Sequence, residues 1–263
     1  MLKEFRVYRQ FVRINLLSGL EYKGWWLMIF QVLVATVGDP LAVILVFSRF
    51  GNIGAWSMER ILLMYAMAFT AYGLGETLFR GFSYFPYRMI RSGDFDRVLL
   101  RPKSLFVQVS ASFFHIHRAA RPFMGLCIII WSLVRLDVQF TFVNVMVLIF
   151  ALAGGFLTYA GVFVLSSGVA FFTINALDWI HVLTSASREV VRVPTPYLPQ
   201  ALRHIFIFVM PVLVIIYFPA AAIGDWGGAY WRGWLALPAG AAFFAAGMLF
   251  WRIGVSHYKS TGS

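Results

Sequence analysis

Few side chains in this sequence stand where chemistry could use them. Its eleven acidic residues are spread one or two to each polar stretch, with no pair placed for acid–base work. His115 and His117 resemble metal ligands, but side chains two apart leave a helix on different sides, and no third ligand is near. Cys127 is alone, so no disulfide, Cys-rich metal site or CxxC pair can form within the chain. No Gly-Lys-Ser or Gly-Lys-Thr P-loop, HExxH or GxSxG occurs, so the chain is expected to bind neither ATP in a P-loop nor a metal. What remains is ionic: Asp39 inside an apolar run, Glu76 four residues before Arg80, and a dense polar island over Arg80 to Ser104.

The island reads RGFSYFPYRMIRSGDFDRVLLRPKS and holds six of the 22 Lys and Arg residues together with the close acidic pair Asp94 and Asp96. Ser92-Gly93-Asp94 is a turn signal; Asp94 is expected to cap a helix, and Asp96 favours its positive end. Pro102 disfavours helix at Arg101, so Phe95 to Leu100 should form about two turns. Phe95 and Leu99 share one face of that helix, Arg97 and Arg101 another. Like charges four apart cost an isolated helix roughly 0.2–0.5 kcal/mol, so the placement makes sense opposite an acidic partner surface.

Two long apolar runs flank the island. With 60% hydrophobic and 13% charged residues, against about 25% charged in soluble domains, the chain has too little polar surface to cover a water-soluble globule. The expected fold class is an all-α integral membrane protein, one domain over 1–263. The net charge of +11 would point to nucleic acid in a soluble protein; here it does not, because the basic residues lie between runs long enough to span a bilayer. Residues 1–23 form a candidate amphipathic interfacial helix, with Leu2, Phe5, Tyr8, Val12 and Leu16 opposite Lys3, Arg6, Gln10 and Arg13. No cleavage pattern follows the first apolar run, so a removable signal peptide is not expected.

Six spans are expected: Trp25 to Phe47, Ile61 to Phe79, Pro122 to Val134, Phe142 to Thr173, His204 to Phe218, and Leu235 to Trp251. Asp39 and Pro40 interrupt the first, where Pro40 should kink or break it. Asp39 either lines a path or caps the segment that follows. Pro211 interrupts the fifth. Gly154, Gly161 and Gly168 recur every seven residues, as do Gly240 and Gly247, making small-residue stripes for close helix packing, more readily within the chain than across a dimer. Asn175 to Arg203, with three prolines, reads as a polar connection on the same side as the island. Eighteen Lys and Arg then fall on that side and four on the other, which makes the island side and both termini cytoplasmic.

The run Ser92-Gly93-Asp94-Phe95-Asp96-Arg97-Val98-Leu99-Leu100-Arg101-Pro102, and the P…LR…F…P…YFPA pattern from Pro199 to Pro219, resemble the ABC-2 type transporter permeases, more narrowly the prokaryotic six-span members. One departure is the short segment after the fifth run, which leaves little room for the pair of outer re-entrant helices seen in some relatives. The resemblance implies a permease subunit of an ATP-driven exporter of a hydrophobic or amphiphilic substrate, in the cell membrane of a prokaryote. It implies that ATP and Mg are held by two copies of a separate ATPase chain, and that a second permease, identical or related, completes the path within membrane lipid.

The cytoplasmic loop over 80–104 would then couple to the ATPase. Asp94, Phe95, Asp96, Arg97, Leu99, Arg101 and Pro102 would form the coupling element, Arg97 and Arg101 facing acidic ATPase residues and Phe95 and Leu99 filling its groove. Asp39, Pro40 and Pro211 are the candidates for the translocation path. An ion-coupled secondary transporter and an intramembrane lipid-modifying enzyme are the competing classes.

Overall fold

The computed structural model describes residues 8–14, 17, 24–114, 116–173 and 177–258 of the 263. His115 and most of the expected amphipathic helix over 1–23 lie outside the described residues, and residues 8–14 are helical. Among the described residues the fold is helical with no strand; a lone bridge between Ile53 and Trp56 closes the turn between the first two long helices.

These two are α1 (Trp25–Phe50) and α2 (Met58–Phe85). A π-helical turn, Pro86–Ile90, extends α2 into the island. The helix α1 runs through Pro40 without ending, so of the expected kink or break the break does not occur. One lost hydrogen bond is tolerable where neighbouring helices hold the backbone. Residues 61–73 of α2 are all buried, so α2 is the post around which the others pack. Counted to Ile90 it has 33 residues, about 50 Å of helix, and outruns a hydrocarbon layer of about 30 Å.

The island itself contains α3 (Phe95–Leu99) and leads to α4 (Leu105–Ala111). A 3₁₀ turn, Ile116–Ala119, then opens α5 (Ala120–Arg135), which is followed by α6 (Phe142–Ala170) and α7 (Leu177–Val190). The pair α8 (Gln200–Val209) and α9 (Leu213–Ile223) is bent by 84°. Another 3₁₀ turn, Tyr230–Leu235, introduces α10 (Ala236–His257).

Close approaches fix the directions. Tyr72 meets Tyr159 edge-on at 5.4 Å and Ser167 donates to the Phe82 carbonyl, so α2 and α6 run parallel. The glycine stripe pairs α6 with α10, also parallel: a Cβ at Gly247 would lie 2.7 Å from the Gly161 carbonyl oxygen, and one at Gly168 would lie 2.7 Å from the Phe250 carbonyl carbon. The stripe therefore packs within the chain, as expected. In the opposite direction run α5, whose Gly125 faces Thr70, and α1, whose Asp39 faces Tyr65.

The same holds for α7. Ser187 bonds Tyr159 at 3.3 Å, Arg188 lies over the Tyr72 ring, and Arg192 lies over the Tyr65 ring. Farther on, the Tyr197 hydroxyl closes on Gly54 in the turn between α1 and α2. The stretch expected as a polar connection on the island side thus runs the length of α2, from the end of α6 to the opposite end of the molecule. The expected span over His204 to Phe218, with its interruption at Pro211, falls on the bent pair: extended geometry at Met210 (φ −129°, ψ 97°), followed by Pro211, stops α8. Among the described residues four helices are long and apolar enough to cross a membrane, five if the bent pair counts as one; α5 with 16 residues and α7 with 14 fall short, so six such helices are not found there.

Candidate functional site

The positive φ of Gly93 (76°) makes the turn that starts α3, and the helix ends before Pro102, closer to one turn and a half than to two. Asp94 does not cap it. Its own backbone is already helical (φ −67°, ψ −11°), so its carboxylate is turned from the first-turn N–H groups; it accepts from Ser92 Oγ at 3.0 Å and pairs with Arg97 at 3.3 Å.

Phe95 is fully buried. Its ring meets Phe85 at 5.1 Å, Phe171 at 5.5 Å and Tyr258 at 4.9 Å, which lie at the ends of α2, α6 and α10. Trp251 packs behind them, 5.0 Å from Phe85. Val98, three residues on, is buried on the same side, and Gln108 of α4 donates to the Lys103 carbonyl at 3.1 Å. Edge-to-face rings are worth about 0.5–1.5 kcal/mol each beyond the area they bury. One turn of helix is thereby seated across three parallel helix ends. Asp96 also faces Tyr258, whose phenol is pushed above its usual value by burial first and by this carboxylate second. Outward, Arg97, Leu99, Leu100, Arg101 and Pro102 are exposed, Leu100 at 85%.

One polar cluster lies higher on α2. Glu76 is 2% exposed and pairs with Arg80 at 2.9 Å, and with Arg118 and Arg121 at the start of α5. Arg80 also stacks over Tyr84. Another joins α1, α2 and α7. Asp39 pairs with Arg192 at 3.4 Å and accepts from Tyr65 at 3.3 Å, while Arg192 also holds Glu189 at 3.1 Å. These groups line a space of about 10 Å³, room for about one water. Among the described residues no three potential metal ligands come together.

The profile of the family described as ABC-2 family transporter protein matches residues 33–262. The chain belongs to that family. No curated protein and no solved structure matches it. This ABC-2 chain is a membrane transport protein, of a family whose members are permease components of ABC transporters working with ABC ATPase subunits.

In this ABC-2 protein the sequence-read residues of the island fall on two faces of α3. Arg97, Leu99 and Arg101 lie on the open one, whereas Phe95 is turned inward and cannot also fill a groove in a partner. Asp39 is 47% exposed, Pro40 beside it is buried, and Pro211 sits in the bend between α8 and α9, outside the Asp39 cluster. Sequence reasoning found the Glu76–Arg80 pair but missed Arg118 and Arg121, and missed Arg188 and Arg192 as partners within the helical body. The signal was present. Three cations close to the ends of neighbouring antiparallel apolar runs face one acid at the same depth, and membrane-buried charge is tolerated when so paired.

Proposed function

We propose that this ABC-2 permease is the membrane half of an exporter of hydrophobic or amphiphilic molecules, and that α3 passes to it the closing motion of a separate ATPase. Two ATPase copies hold ATP and Mg, and a second permease, identical or related, completes the path. The observation that carries this reading is the seat of α3. Phe95 ties it to the ends of α2, α6 and α10, while Arg97, Leu99, Leu100 and Arg101 stay open to a partner. A push on the open face reaches three helices at once, and a chain without a P-loop needs a partner to supply that push.

The topology that fits is six crossings, by α1, α2, α5 with its 3₁₀ turn, α6, α7 together with the chain that follows it to Tyr197 beside Gly54, and α10, with α8 and α9 on the outer side. The 20 residues from Ile116 to Arg135 are long enough for a crossing. With Arg188 and Arg192 inside the layer, the inner side carries fifteen Lys and Arg (five N-terminal, eight from Arg80 to Arg121, two in the tail). The outer side carries five: Arg49, Arg60, Arg135, Arg203 and Arg232. That bias favours a cytoplasmic island and cytoplasmic termini in a prokaryotic cell membrane.

Asp39, half exposed on one chain at membrane depth, is costly against lipid and is accommodated if the second permease or the path covers it, with Pro40 and Pro211 as further candidates for the lining. Ion-coupled transport is less well supported, because Asp39 is held by Arg192 and Glu76 by three arginines, leaving neither carboxylate free for a cation. Arg97→Glu with Arg101→Glu should lower substrate-stimulated ATP hydrolysis by the co-purified complex roughly tenfold or more, since like charges opposed across an interface cost several kcal/mol. Insertion should be unchanged, because both side chains are exposed. Hydrolysis that stays coupled to substrate would reject the assignment.

A further inference from the structure

We propose that the Glu76 cluster is a binding site for the phosphate of an anionic phospholipid in the inner leaflet. One carboxylate faces three guanidinium groups, so the cluster carries a net charge of +2. Each arginine side chain is only about one-fifth exposed, and among the described residues no second carboxylate pairs with any of them. The buried Nε atoms of Arg80 and Arg118 have no hydrogen-bond partner. Two uncompensated charges in so confined a space call for an anion.

The surroundings specify which kind. The Arg80 guanidinium donates to the Tyr84 hydroxyl at 3.3 Å; Phe113 packs on Tyr84 at 5.0 Å, and Arg88 lies over the Phe113 ring. An aromatic wall with a further cation at its rim thus stands beside the three arginines. Glu76 is fifteen residues along α2 from Ile61, about 22 Å, so if Ile61 marks the outer edge of the hydrocarbon layer the cluster lies close to its inner edge. The helical residues 8–14 are near this level, because the Tyr8 hydroxyl reaches the Leu78 carbonyl at 3.5 Å; burial pushes its phenol up to about 12. Guanidinium groups take phosphate oxygens through paired N–H donors, and basic pockets between membrane helices on the cytoplasmic side take anionic headgroups. At that depth the abundant phosphate belongs to the lipid, not to the solvent.

The test is binding of fluorescent phosphatidylglycerol to the full chain in phosphatidylcholine nanodiscs. Arg118→Gln should weaken it about tenfold, or 1.4 kcal/mol. Glu76 keeps Arg80 and Arg121, so the melting temperature in phosphatidylcholine alone should stay near that of the wild type. Arg121→Gln should behave alike and stands in if Arg118→Gln does not fold. Arg97→Gln, on the open face of α3, should leave binding unchanged. Equal affinity in the wild type and both cluster variants would overturn the proposal, as would an equal loss in Arg97→Gln. Inorganic phosphate displacing the lipid at equal concentration would overturn the lipid as its source.

Discussion

Phe95→Ala is expected to separate ATP hydrolysis from transport. The ring fills the space between Phe85, Phe171 and Tyr258 with none of its surface exposed, and truncating such a phenylalanine costs about 3–5 kcal/mol, part of it for the cavity left behind. Only five residues make up α3, and Val98 is its other buried anchor, so most of that loss falls on the seating of the helix. At 1.4 kcal/mol per factor of ten, the docked state of α3 should weaken roughly a hundredfold or more. The complex should still assemble through Arg97, Leu99, Leu100 and Arg101, hydrolyse ATP at a basal rate, and fail to raise that rate with substrate. Phe95→Leu, which leaves a smaller void, should recover part of the response. Both are read by ATP hydrolysis with and without substrate, beside transport into vesicles.

Glu76→Gln should cost more in stability than any other single change in the polar framework. It keeps the shape but removes the one negative charge that Arg80, Arg118 and Arg121 share. Removing one partner of a buried ion pair typically costs about 3–5 kcal/mol, because the charges left behind are uncompensated. The expected result is a large fall in melting temperature in phosphatidylcholine, measured by tryptophan fluorescence. Combining it with Arg121→Gln, which lowers the uncompensated charge, should recover stability; failure to recover would place the effect in the lost hydrogen bonds rather than in charge.

Much of this is legible in the sequence, and the exceptions have identifiable causes. The turn at Gly93, the short helix between it and Pro102, and the glycine stripe of α6 all depend on residues within a few positions of one another. What α7 does depends on other helices. Its Ser187 and Arg188, and Arg192 just past its end, read as a polar connection until Tyr159, Tyr72, Tyr65 and Asp39 are known to lie beside them. Hydropathy measures what a segment would expose if it stood alone. The bent pair α8 and α9 shows another limit: it is apolar enough for a span, but composition carries no direction, and at Met210 and Pro211 the chain turns by 84°. Phe95 illustrates the limit of a helical period, which pairs it with Leu99 but does not say whether that side meets a partner or the body of the protein.

The central claim is that an ATPase rests on the open face of α3. A photo-crosslinking amino acid in place of Leu100, the most exposed apolar side chain of the island, tests it in intact cells. The account predicts an adduct with a P-loop ATPase that strengthens or shifts when ATP hydrolysis is blocked. An adduct with lipid alone, or labelling of the same position by a membrane-impermeant reagent from outside the cell, would contradict it.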